Sequence, residues 1–433
     1  MKFIILLGRD RMSEYESSII KKIDSKYVVD KTVELANIDS PTGKEKEVAL
    51  KYKEILEEVG MKVYLQEVEN DRYNVIGVLR GEEPGYCSLM FNGHMDTSFS
   101  FNDPWEILSR ISPYYRREQP QARVEGDYIY GLGVYNMKSA LAAYATAVKA
   151  IVDSGIKLKG TLMVAGVVGE IEKAQIDEFQ GSSYRGYGYG TSYLVQHGGT
   201  ADYAIIGEPT GLRLVTEHFG SLWTKISISA NKLSHSAYSK IDDNLIVKLA
   251  KFINEFKDVF IPQYYTKYKY KGVDPVINIG AVEGGLKWRL SRTPINASIY
   301  IDLRYPPLSS IEEVKKDVLQ FIFQMEKKLE VNIDVNFFVS DHWAYTDENS
   351  LVVKSIREAH KAVTNEEVKT TIVTWSSDAN ILTKYGVQTV LYGPAGDPDP
   401  KKEVRGVQYI PNLITATKVY ALAAYKITSN KCH

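Results

Sequence analysis

Apolar and polar positions along the chain follow two periods, and the switch between them outlines the elements. From Ser13 the spacing is helical. "SEYESSIIKKIDSKYVV" opens with the capping box Ser13–Glu16, and Tyr15, Ile19, Ile23 and Tyr27 fall on one face at i+4 steps. This predicts one helix. A second box, Thr42–Glu45 in "SPTGKE", predicts the start of another. Its face is Val48, Tyr52, Ile55 and Val59, and Gly60 ends it. Strands are predicted next at "KVYLQEV", "YNVIGVL" and "YCSLMF"; the last is short, mostly apolar and preceded by "EEPG".

The alanine-rich run 136–155 predicts a helix ended by Gly155, "GTLMVAGVV" (160–168) a buried strand, and "ADYAIIGEPTG" (201–211) a short strand running into a loop. Helices alternating with buried strands predict an α/β layered domain with a mostly parallel sheet. Near residue 212 the character changes. "LRLVTEHFGSLWTKISISANK" alternates around Gly220 and predicts an antiparallel hairpin. Helix, two strands and a second long helix follow, which gives an open-faced α+β sandwich. The expected organisation is therefore an α/β domain of residues 1–211 and 331–433, with a smaller domain of residues 212–330 inserted in it.

Composition narrows this little. A chain of 433 residues, 44% apolar and 25% charged, is an ordinary globular protein of two or three domains. A net charge of −1 supports neither nucleic acid nor an anionic membrane as partner. The opening "MKFIILLGRDRM" is too short in its apolar run for a signal-peptide core, and no run approaches a membrane span. Cys87 and Cys432 lie far apart and form no CxxC pair. No disulfide framework is expected, and a reducing cytoplasm is the default location.

The chemistry gathers in loops that follow buried strands, where ligands sit in doubly wound sheets. "GHMDTSF" offers His94 as a metal ligand and Asp96 as the group that orients its ring. "YGLGVYNMKSALAA" offers Asn136, "VVGEIEKA" offers Glu170 and Glu172, "IIGEPTG" offers Glu208, and "YGPAGDPDPKKEVRG" offers Asp397 and Asp399. His197, His342 and His360 have no acidic or histidine partner at ligand spacing and are read as surface or core residues, and His218, in the strand just before Gly220, is read as structural.

The ordered set "DSPTGKEKEVALKYKEILEEVGMKV", "FNGHMDT", "GLGVYNMKSALAA", "GEPTG", "LSHSA" and "SSDANILTKYGVQTVLYGP" resembles the M20 family of zinc aminoacylases and peptidases over nearly the whole chain. The resemblance implies a zinc-aminopeptidase-like catalytic domain with a mixed sheet, plus an inserted, ferredoxin-like α+β domain serving as lid and dimerisation module. It implies His94 and Glu208 as metal ligands, Asp96 beside His94, and Glu170 as general base. His235 would polarise the scissile carbonyl, and Arg292 would hold a substrate carboxylate.

The sequence departs from that pattern at three places. Asn136 stands where the family has a bridging aspartate. Ile171 stands where a second carboxylate ligand belongs. The loop "DPDPKKEVRG" has no histidine. Asn136 is a weak ligand at best, and Glu172, Asp397 or Asp399 are the candidates for relocated ligands. Two functions remain open. One is a metal-dependent hydrolase of amide bonds in small N-acyl amino acids or short peptides, with one zinc, manganese or cobalt ion. The other is an inactive relative, without metal, that binds a ligand or serves assembly. The expected partners are a small-molecule substrate and a second copy of the chain, the homodimer forming through residues 212–330. The glycine- and tyrosine-rich segment 178–194 is expected to line or cover the pocket.

Overall fold

The computed structural model describes residues 12–111, 121–230, 232–396 and 406–432. In chain order the longer strands are β1 (Lys62–Glu69), β2 (Arg72–Leu79), β3 (Leu89–His94), β4 (Leu162–Val167), β5 (Tyr203–Ile206), β6 (Leu214–His218), β7 (Gly220–Ser229), β8 (Val276–Gly284), β9 (Asn296–Tyr305), β10 (Asn332–Asp341) and β11 (Gln388–Leu391). The chain forms two compact units. The first comprises residues up to Thr216, Thr346–Thr371 and Ser377 onward; the second comprises Glu217–Tyr345 and Ile372–Ser376.

The first unit is built on a mixed sheet in the order β1-β2-β4-β3-β5-β11-β6. β4, β3, β5 and β11 run parallel, while β1, β2 and β6 are antiparallel to their neighbours. The expectation of a mostly parallel sheet holds for the centre only. β3 is buried along its whole length, as a strand covered on both faces must be. The helix Ser139–Asp153 packs against the helices Ser25–Ala36 and Ile410–Thr428. Its many alanines allow close approach, and nearly all its residues are buried. Gly93 leaves room for side chains of this part of the chain. A Cβ there would lie 2.8 Å from Met137 Cε and 2.9 Å from Leu141 Cδ2.

The second unit is a four-stranded antiparallel sheet, β8-β9-β7-β10. Leu222, Ile226 and Ile228 of β7 pack with Leu249 and Phe252 of the helix Leu245–Glu255 and with Val318, Phe321 and Ile322 of the helix Ile311–Leu329. This is an open-faced α+β sandwich. Its fourth strand, β10, lies beyond residue 330.

Four expectations change. The first helix is two helices, Glu14–Ile20 and Ser25–Ala36. Asp24 accepts hydrogen bonds from Lys26 and Tyr27 N–H and so caps a new start. Thr42 and Glu45 form no capping box: the helix Lys46–Glu58 has no side-chain cap. The two strands around Gly220 are no hairpin, because β6 pairs with β11 and β7 pairs with β9 and β10. Finally, Cys87 and Cys432 form a disulfide with their Cα atoms 4.8 Å apart. The C-terminal segment lies antiparallel to the residues before β3. Cys87 N–H donates to Asn430 O at 2.9 Å, and Cys432 N–H donates to Gly85 O at 3.0 Å. A separation of 345 residues hid the pair, and the cysteine argument for a reducing compartment falls with it. Among the described residues no helix is long and apolar enough to cross a membrane.

Candidate metal centre

Three neighbouring parallel strands end at one edge of the first unit's sheet. His94, the last residue of β3, is level with Val167 of β4, and Asn92 is level with Ile206 of β5. Glu170 comes three residues after Val167 and Glu208 two after Ile206, so strand order brings three loops of distant sequence to one point. His94 Nε2 lies 3.6 Å from Glu170 Oε2 and 3.9 Å from Glu208 Oε1. The three residues each offer a ligand atom, all within 4.8 Å of one another. Asn136 Oδ1 is 3.0 Å from His94 Nε2.

The other ring nitrogen is held from behind. His94 Nδ1 is 2.9 Å from the backbone oxygen of Asp96 and 3.5 Å from its carboxylate Oδ1. The expected ring-orienting role therefore falls mainly to the Asp96 carbonyl. The Asp96 carboxylate has other partners. It accepts Thr42 Oγ1–H at 2.8 Å and the backbone N–H groups of Glu170 and Ile171 at 3.1 and 3.3 Å.

The site buries more carboxyl groups than its one imidazole could neutralise if all were ionised. His94, Asp96, Glu208 and Asp378 are at most 3% exposed, and Glu170 is 9% exposed. Burial pushes Glu170 well above the usual carboxylate range, with the charge of Glu208 adding to it. Burial pushes Glu208 up to about 7 and Asp378 up to about 6. Burial alone would lower His94, but Glu170, Asp96 and Glu208 outweigh it and hold the imidazolium well above its ordinary value. Burial raises Asp96 too, but its bonds with His94 and Thr42 prevail and keep it low. Glu208 Oε1 is buried and has no hydrogen-bond partner among the described residues. An orphaned carboxylate oxygen facing an imidazole and a second carboxylate is what a cation's donor set looks like without the cation.

The His94 nitrogen, the Glu208 carboxylate and the Asn136 amide oxygen are donor types that fit a divalent cation, with the Glu170 carboxyl group beside them. Among the described residues no second group of three such side chains gathers in this way. Ile171, buried and apolar, offers no donor. Glu172 is half-buried, and Asp397 and Asp399 lie outside the described residues.

His235 and Arg292 belong to the second unit, where they form an isolated antiparallel bridge. His235 is exposed, and its Nδ1 accepts Ala237 N–H at 3.2 Å. Asp378 was missed by the sequence reading. It is buried and accepts Thr191 Oγ1–H at 2.5 Å, and Thr191 in turn accepts from Asn92 of β3 at 3.0 Å. The signal was present in "TTIVTWSSDAN", an acid after a short β-rich run, as for Glu170 and Glu208.

Comparison with known proteins defines the class. Residues 90–426 match peptidase family M20/M25/M40, and the chain belongs to that family. It is 25% identical over 407 residues to N-formyl-4-amino-5-aminomethyl-2-methylpyrimidine deformylase of Halalkalibacterium halodurans, covering 86% of each chain. It is 26% identical over 321 residues to succinyl-diaminopimelate desuccinylase of a Nitratiruptor species, covering 71% of this chain and 76% of that one. Its fold matches a tripeptidase of Staphylococcus aureus with a TM-score of 0.70 at 18% identity, covering 94% of this chain and all of the other. These relatives are hydrolases of amide bonds, and a general hydrolase role is supported on that basis.

Proposed function

We propose that the protein is a metal-dependent hydrolase of amide bonds in small N-acyl amino acids or short peptides, working with a single cation. The observation that carries this is the buried, unpartnered Glu208 Oε1 facing His94 Nε2 at 3.9 Å, with Glu170 beside both. His94 and Glu208 would hold the ion, with Asn136 Oδ1 as a weak further donor. A cation bound there would polarise the amide carbonyl and acidify a water molecule.

The residues then have separate tasks. Glu170 takes a proton from the attacking water, whose oxygen bonds to the acyl carbon, and returns that proton to the leaving nitrogen as the C–N bond breaks. Asp96 holds the His94 ring and the Glu170 backbone. His235 would stabilise the oxyanion, and Arg292 would hold a substrate carboxylate through a bidentate contact. A homodimer formed through residues 212–330 is part of the proposal. It is supported by the open edge of β8 and the exposed Val282, Trp288 and Leu290 nearby.

The alternative, an inactive relative that binds a ligand or serves assembly, is favoured by Asn136 and Ile171 standing at family ligand positions. Metal content separates the two. Elemental mass spectrometry of protein purified without chelators should find about one ion per chain in wild type and none in His94→Ala. Absence of metal after incubation with zinc or manganese would favour the inactive relative. Two ions per chain would mean that Glu172, Asp397 or Asp399 supplies a second position.

A further inference from the structure

Thr42 and Glu45, which the sequence assigned to a helix cap, belong to a second buried polar cluster beside Glu170. Arg72, the first residue of β2, has no exposed surface. Its Nε and Nη2 donate to the two oxygens of Glu45 at 2.9 and 2.7 Å. The same guanidinium donates to the carbonyls of Ser182 and Arg185 at 3.4 and 3.3 Å, and to Glu69 at 3.3 Å. Gly43 N–H adds a bond to Glu45 at 3.0 Å. An apolar pair of similar volume could serve stability as well as a buried ion pair. What a guanidinium adds is direction, because its five donors lie in one rigid plane.

That plane abuts the loop that carries Glu170. Gly169 has φ +63°, and a Cβ there would lie 2.6 Å from Arg72 Nη2 and 2.6 Å from Arg185 O. The guanidinium therefore fills the space against the residue preceding Glu170. Asn74, two residues along β2, accepts Val168 N–H at 3.1 Å and donates to Gly190 O at 2.8 Å. Tyr189 and Gly190 N–H donate to the carbonyls of Gly169 and Val168 at 3.0 and 2.9 Å. Asp96, tied to Thr42, takes the N–H groups of Glu170 and Ile171. The loop is thus held by β2, by the Thr42–Asp96 pair, and by a 182–190 segment that Arg72 itself anchors.

We infer that Arg72, oriented by Glu45, is a positioning residue for Glu170: it fixes the backbone from which the Glu170 carboxyl group meets His94. Only the kinetic part of the test rests on the hydrolase function proposed above.

The test uses the full chain with Arg72→Lys, which keeps the charge and loses the fork, and Glu45→Gln as a second variant. Amide hydrogen exchange over 168–173 should speed up roughly ten-fold or more beyond any rise in the helix Ser139–Asp153, whose exchange reports the global loss of stability. With manganese and a panel of N-acetyl and N-succinyl amino acids, kcat should fall by roughly 10- to 100-fold and KM should change little, as for a small misplacement of a reacting group. Unchanged exchange over 168–173, or a rise there no larger than that of the Ser139–Asp153 helix, overturns the inference. So does failure of both variants to fold, which would make the pair a stability element. If wild type hydrolyses none of the panel, the proposed function fails, and the exchange result still decides the role of Arg72.

Discussion

Two buried charge clusters touch the Glu170 loop, and they are balanced differently. In one, Arg72 meets both oxygens of Glu45 and fills its remaining donors with Glu69 and two carbonyls. In the other, Glu170, Glu208 and Asp378 share one imidazole, and an oxygen of Glu208 has no partner. Both have left water, so both bear the cost of desolvation. The first is complete within the chain. The second leaves a carboxylate oxygen without a partner, and that imbalance is what the proposed cation would relieve.

Substitutions should separate the two clusters by sign. Glu45→Gln leaves Arg72 buried and short of its counter-charge, so it should destabilise the protein by about 3–5 kcal/mol in denaturant unfolding. A loss near zero would mean that the completed cluster is no more than packing.

Acidity comes next in size. Without a cation, Glu208 keeps its proton up to about 7 and Asp378 up to about 6, whereas in the unfolded chain both ionise near pH 4, roughly. Their contribution to stability is full below the unfolded value and is lost as pH rises through 6 to 7. His94 acts with the same sign: its proton is held well above the ordinary value, so its contribution is full below pH 6.5, roughly, and is lost only at higher pH. The cation-free protein should therefore lose on the order of a few kcal/mol between pH 5 and pH 8. Saturating manganese or zinc should abolish or reverse that loss, since the ligands bind metal in their deprotonated forms. Parallel denaturation profiles with and without metal would show that the second cluster needs no ion.

A smaller effect has the opposite sign to Glu45→Gln. Glu208→Gln removes a buried charge that lacks a partner, so at pH 8 it should stabilise the cation-free protein by about 1–2 kcal/mol while abolishing metal uptake. Smallest of all is the surface pair Lys46–Asp71, one residue along from Glu45 and Arg72, with a contact of 2.6 Å between exposed side chains. Lys46→Ala should leave the unfolding midpoint unchanged. A clear shift would show that proximity, and not burial, separates these neighbouring ion pairs.

Periodicity served the sequence reading well wherever burial alone decides an element. β1, β2, β4, β5, the Ser139–Asp153 helix and the long helix Ile311–Leu329 fall where the pattern put them, whereas β3 starts three residues later than the predicted "YCSLMF" and runs on to His94. The family likeness located His94, Glu170 and Glu208, which share one site although no spacing rule links them. Failures occurred where a residue's partner is remote. Thr42 and Glu45 have the local signature of a cap, but their side chains bond Asp96 and Arg72, 54 and 27 residues away. The strands around Gly220 alternate as a hairpin would and yet pair elsewhere. Asp378 follows a short β-rich run, as Glu170 and Glu208 do, but its partner Thr191 is 187 residues away. A pattern read within a dozen residues cannot weigh a stronger acceptor brought in by the fold, and sites are built largely of such acceptors.

The bond between Cys87 and Cys432 turns the chain into a lariat. Everything from residue 87 to residue 432 is a closed covalent ring, and the first 86 residues are its tail. His94, Glu170, Glu208 and Asp378 all lie on the ring, whereas Thr42, Glu45 and Arg72 lie on the tail. A single protease cut within the ring opens a loop but leaves one molecule until a thiol is added. A single cut in the tail between Arg72 and Cys87 leaves the piece that carries Thr42, Glu45 and Arg72 held by packing and hydrogen bonds alone, with no covalent link to the ring.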